Sequence, residues 1–284
     1  MLNPSYKFGS GMVKSRNKAP DRADRLFKNL FADCQPDESF RRIAEGISGS
    51  SRNAARLLSD VKLLVEKGHF SSARFLLTTA REEIAKSYIL VDMCRLDLSK
   101  HDSRLRKLCR AFYNHIYKYS YLRVLELPEL NSMSDVKKIW KIETKLYWPA
   151  DPEDGEPDMP HDTVFDRELP LYMDYDDSID GWFVPADSEQ AGHFEVMFHE
   201  TSVSRTEKLI RPWREANSIG LCAPKVLEIL NIVFRKHYIG DDATSTQLDS
   251  LYGQVANSVV AKTNIVREKF IDSPLVVWPL YDLV

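Results

Sequence analysis

No apolar run in the chain reaches the ~18 residues a membrane-spanning helix needs. The first residues carry no apolar leader segment either, so neither a spanning helix nor a secreted product is expected. Cys34, Cys94, Cys109 and Cys222 form no Cys-x-x-Cys pair and have no histidine at zinc-finger spacing. Reduced thiols in a cytoplasmic protein, with no structural metal and no cofactor, are the expectation. Internal repeats are absent. With 43% hydrophobic and 29% charged residues, the composition excludes a disordered, fibrous or disulfide-scaffold protein.

Basic residues are scarce in one place only. Residues 149–200 hold 16 acids against a single base, Arg167, whereas residues 1–148 hold 28 bases against 17 acids. The overall net charge of −3 therefore averages a basic body with an acidic middle. Positive surface on that scale could attract a polyanion, although a charge excess is more often only a solvated face. The acidic stretch could cover it in competition, a self-inhibition that deleting residues 149–192 would test.

Apolar spacing organises the rest. Residues 1–38, rich in bases and turn formers, read as a flexible N-terminal arm. Leu57, Leu58, Val61, Leu64 and Val65 recur at helical steps in a helix starting near Ser39 or Ser51 and stopping at Gly68. Ser71 or Ser72 can cap a second helix, with the stripe Ala73, Leu76, Leu77, Ala80, Ile84, Tyr88 and Val91. A third helix carries Leu105, Leu108, Cys109, Phe112, Ile116 and Tyr119. So short a link predicts that the first two pack as an antiparallel hairpin, with the third over their groove.

These helices make a core over 39–125. Prolines cut 126–200 too often for a long helix, so this acidic insertion should hold short strands at 145–148 and 171–175, with 182–184 as a hairpin partner. Helical spacing returns over 201–284, strongest at 224–238 and 247–270, completing a mainly α protein.

The hairpin also carries a resemblance. Asn53-Ala54-Ala55-Arg56-Leu57-Leu58, then Leu64, Gly68, Phe70 and Ala73, and Ala80-Arg81-Glu82-Glu83-Ile84-Ala85-Lys86 resemble the signature of the AbiV abortive-infection proteins of the HEPN superfamily. Leu171-Tyr172-Met173-Asp174-Tyr175, with Gly181-Trp182 and Pro185, is similar to a second family patch, and 101–108 to its basic link. The resemblance implies a HEPN-like helical bundle, a homodimer, and a role in phage defence. Many HEPN proteins are metal-independent endoribonucleases that use an Arg-x4–6-His motif.

Two matches to that motif exist: Arg110 to His115, and Arg95 to His101 across a link. In the first, His115 would act in acid–base transfer on the ribose 2′-hydroxyl, Arg110 would hold the phosphate, and Asn114 would orient one or both. On one continuous helix Asn114 lies ~40° from Arg110 and His115 ~140° away. Arg106, Lys107 and Lys118 interleave with Tyr113 and Tyr117 around the motif, a pattern suited to single-stranded RNA.

Glu82 and Lys86 read as an i,i+4 ion pair, while Glu83 borders the apolar stripe and needs a donor from the third helix. These three residues brace the fold or support the site. A non-catalytic protein that binds a phage or translation component, or an antitoxin partner, is the competing reading.

Overall fold

A computed structural model describes residues 18–100, 103–127, 130–145, 189–237 and 239–284, with four short strands between 147 and 183. Among the described residues the protein is overwhelmingly helical, as the apolar spacing predicts.

Its frame is a hairpin of two long helices, α2 (Pro36–Glu66), preceded by α1 (Lys18–Phe27), and α3 (Phe70–Arg95). Pro36 at the first position of α2 has its φ preset and no N–H to leave orphaned. The hairpin turn is a Schellman motif: Gly68 N–H donates to the Val65 carbonyl at 3.0 Å and His69 N–H to Leu64 at 2.9 Å. Gly68 sits at φ +75°, where a Cβ would be strained, so the helix stops at the glycine the sequence marked. Ile43, Ile47, Ala54 and Val61 of α2 share one buried core with Ala73, Leu77 and Ile84 of α3. From Ile84 to Arg95, eleven of twelve residues of α3 are buried, lacking only Lys86, which makes it the central helix.

The expected third helix is two. α4 (Ser103–Ala111) and α5 (His115–Glu126) are separated by a tight turn in which Tyr113 N–H donates to Arg110 C=O at 3.1 Å and Asn114 N–H to Ala111 C=O at 3.0 Å. Asn114 then caps α5, its side-chain oxygen accepting from Tyr117 N–H at 3.2 Å. A short polar side chain that competes for backbone hydrogen bonds breaks the helix where apolar spacing alone continues it.

Residues 18–38 are not a flexible arm. α1 packs on α4, and Ala23, Phe27, Leu30 and Phe31 are buried through the following π-helical turn (Lys28–Ala32). Their spacing is helical, but the surrounding bases mask it. Residues 1–17 lie outside the described part.

α6 (Met133–Glu143) and the first turns of α7 (Glu189–Ser218) lie inside the 126–200 range, expected to hold short strands and no long helix. Between them, β1 (Tyr147–Trp148) pairs antiparallel with β2 (Met159–Pro160), and β3 (Asp174–Asp176) with β4 (Gly181–Phe183) in the register Tyr175 to Trp182. The rest of the acidic segment, and the self-inhibition proposed for it, lie outside the described residues.

α7 lies against the hairpin, where fully buried Trp213 meets the Tyr88 ring edge-on at 4.9 Å. α8 (Pro224–Phe234), α9 (Ser245–Lys262) and α10 (Arg267–Ile271) complete the bundle. Asn231 of α8 donates to the carbonyls of Cys94 and Leu96, groups that the end of α3 would otherwise leave orphaned.

Candidate functional site

The end of α3 holds a buried ionic knot. Asp92 and Arg95 pair with each other, Tyr121 of α5 donates to Asp92 at 2.9 Å, and the Leu280 N–H does so at 2.8 Å. Arg95 donates to the carbonyls of Leu275 at 2.9 Å and Val277 at 3.2 Å, fastening the chain's C-terminal residues to α3. Arg95 is 2% exposed, so it is not available to a phosphate. Its motif partner His101 lies outside the described residues. The second Arg–His match is therefore a structural arginine beside a link.

About three turns earlier on the same helix the pattern is different. Glu82 is 6% exposed and faces the start of α5. Its carboxylate lies 2.7 and 2.8 Å from Nδ1 of His115 and accepts from Lys118 Nζ at 2.6 Å. His115 and Lys118 are three residues apart on α5, so one helical face brings both to the carboxylate. Burial opposes the charge on Glu82, but the His115 hydrogen bond and the Lys118 ammonium outweigh it and hold the carboxyl at about 2. An ionised carboxylate only accepts, so His115 presents Nδ1–H to it and Nε2 is the nitrogen positioned for proton exchange. Burial pulls Lys118 below the usual lysine range, against the attraction of Glu82.

The expected Glu82–Lys86 pair is not formed. Lys86 pairs with Glu83 instead, and its ammonium sits 5.3 Å over the Phe112 ring. Glu82, rather than Glu83, takes its donors from the third helical region. An i,i+4 spacing permits a pair, but a buried carboxylate draws the donors that tertiary packing supplies.

His115 keeps 47% of its side chain exposed, at the first position of α5. Arg110 is exposed on the last turn of α4, five residues earlier across the tight turn. Asn114 contributes through the cap that starts α5 beneath His115. The first turn of α5 also carries the partial positive charge of a helix N-terminus, which favours a phosphate there.

The residues expected to contact RNA divide. Lys107 is exposed, and Arg106 stacks 3.9 Å over Phe27 with Asp24 at 3.8 Å. Lys118 is 4% exposed and belongs to the Glu82 knot rather than to the surface. Tyr117 stacks parallel on Trp140 at 5.9 Å, and Tyr113 meets Phe112 edge-on at 5.3 Å. Among the described residues no group of three His, Cys, Asp or Glu side chains could share a metal ion, and no helix is long and apolar enough to cross a membrane.

A family model of the HEPN class described as AbiV matches residues 42–201, more than half of the chain. The chain belongs to the AbiV family. The match takes in the hairpin from its second turn, α4, α5 and the acidic segment, so Glu82, Arg110 and His115 all lie within the AbiV region. α1 and the helices after α7 lie outside it, and α7 straddles its end. Neither the curated proteins nor the solved structures contain a match.

The Glu82–His115–Lys118 knot was not foreseen as a unit. Thirty-three residues separate Glu82 from His115, and no local spacing rule links them. The one available signal was Lys118 three residues after a motif histidine.

Proposed function

We propose that this AbiV-family protein is an abortive-infection effector that cleaves RNA with side chains alone. The Nδ1 hydrogen bond from His115 to the buried, ionised Glu82 carries the reading. It fixes the imidazole so that Nε2 can take the proton from a ribose 2′-hydroxyl. The 2′-oxygen then attacks the adjacent phosphorus, and the P–O5′ bond breaks. This leaves a 2′,3′-cyclic phosphate on one fragment, while the departing 5′-oxygen of the other takes a proton from water and His115 returns its own to solvent. Glu82 stabilises the imidazolium formed on the way, in the role a buried carboxylate plays beside a catalytic histidine. Arg110, exposed across the turn, supplies charge to the phosphate oxygens.

The groups that assist these steps are side chains of this chain, so cleavage should persist in EDTA. Two copies of the chain would set two such half-sites face to face, an arrangement that analytical ultracentrifugation reads as a dimer.

The test is a single-stranded RNA cleavage assay in EDTA, paired with phage protection in cells. His115→Ala should lower the cleavage rate about 10²–10⁴-fold, and Arg110→Ala should lower it as well. Both should lose protection while keeping the helical circular-dichroism spectrum. Full protection by folded variants would replace this reading with that of a non-catalytic arrest protein.

A further inference from the structure

α1, which lies outside the AbiV match, forms one wall of a groove whose other wall is the α4–α5 turn. Arg22, Arg25, Leu26 and Asn29 line it from α1 and the π-helical turn, and Tyr113 lines it from the opposite side. The first four stand at i, i+3, i+4 and i+7, so one helical face presents them together. Arg22, Arg25 and Asn29 are exposed, and Tyr113 is half-buried.

Other contacts place this groove firmly. Phe27 is buried under the Arg106 guanidinium at 3.9 Å, which ties α1 to α4. Asp24 of α1 lies 3.8 Å from Arg106 and is not among the residues that line the groove. Burial raises the Tyr113 hydroxyl, with the charge of Cys109 adding to it, while the guanidinium groups of Arg22 and Arg25 pull it back down, so both cations lie within electrostatic reach of that ring. Tyr113 is bonded through its N–H to the Arg110 carbonyl at 3.1 Å, and His115 follows two residues later. The groove therefore ends on the same turn that joins Arg110 to His115.

We propose that this groove is a subsite for single-stranded RNA flanking the scissile bond, with Arg22 and Arg25 on backbone phosphates and a base against Tyr113. Two cations beside an aromatic face, with an amide on the rim, match the repeating phosphate and unstacked base of a single strand. A helical neighbour of this chain offers neither. The proposal deepens the nuclease reading and rests on it for the direction in which the strand runs.

Binding tests it independently of cleavage. A fluorescent single-stranded oligoribonucleotide of ~20 nucleotides is titrated in EDTA against full-length His115→Ala protein at several salt concentrations. Arg22→Gln with Arg25→Gln should weaken binding at least about fivefold near 0.1 M salt and lower the log–log salt slope by about 1.4, at ~0.7 per phosphate contact. Tyr113→Leu should lose about fivefold to a hundredfold, while Tyr113→Phe, which keeps the stacking face, should bind as the parent does.

Arg211→Gln with Arg214→Gln on α7 removes the same charge from exposed positions elsewhere and should leave affinity within about twofold. Equal affinity of the groove variant and the parent, an equal loss in the α7 variant, or no RNA binding by the parent would each overturn the subsite. Groove-dependent binding by a chain that cleaves no RNA in any form would overturn the nuclease reading and leave the subsite standing.

Discussion

Nδ1 of His115, at the first position of α5, lies 2.7 Å from the buried carboxylate of Glu82 in the middle of α3. The bond joins the central hairpin to the histidine of the Arg110 motif, which is exposed. The same carboxylate neutralises the buried Lys118, so the proposed catalytic histidine and the stability of the fold share one group.

Removing Glu82 should therefore be costly. Glu82→Ala leaves Lys118 buried and unpaired, for an expected loss of about 3–5 kcal/mol in urea unfolding. Combining it with Lys118→Met should recover most of that loss, since two apolar groups in place of a buried pair are often neutral. A double variant as unstable as the single one would show that the pair is not the source.

Acid should erase the same contribution. Glu82 is held at about 2 against an ordinary value of 4.5, so its folded form binds the proton more weakly than the unfolded chain does. The stabilisation is complete above pH 4.5 and is lost as pH falls towards 2, amounting to about 3 kcal/mol at neutral pH. The stability gap between the parent and Glu82→Gln should narrow across that window in urea melts. A constant gap would contradict an ionised, paired Glu82.

The two motif arginines should separate by assay. Arg95→Ala breaks a buried pair with Asp92 and strips donors from Leu275 and Val277, costing about 3–5 kcal/mol. Arg110→Ala, at an exposed position, should stay within about 0.5 kcal/mol of the parent and affect RNA chemistry instead. Thermal melts alongside cleavage rates read both.

Glycines of the hairpin should respond in opposite directions. An alanine Cβ at Gly49, inside α2, meets no atom within 4 Å, so Gly49→Ala should stabilise by about 0.5–1 kcal/mol through helix propensity. At Gly68 the backbone holds φ +75°, and Gly68→Ala should destabilise by about 1 kcal/mol. Shifts in urea midpoint of the same sign at both positions would refute this assignment.

Much of the fold was legible because it is local. Gly68 ends α2, and the apolar steps from Ala73 to Val91 make α3, since both depend on neighbours within two turns. Less local features escaped. The buried Ala23, Phe27 and Phe31 of the N-terminal region look like part of a basic tail until α4 covers them. The break before His115 is one Asn114 hydrogen bond, which apolar periodicity does not register.

The sequence by itself determined the helical class, the hairpin, the AbiV signature and the spacing of Arg110 and His115 in one short motif. Tertiary structure decided which charges are buried together. It chose Glu82 over Glu83 for His115, withdrew Lys118 and Arg95 from solvent, and set Arg22 and Arg25 beside Tyr113. The physical reason is range: helix propensity and capping act over a turn or two. The partner of a buried charge is set by desolvation, which depends on every helix packed around it.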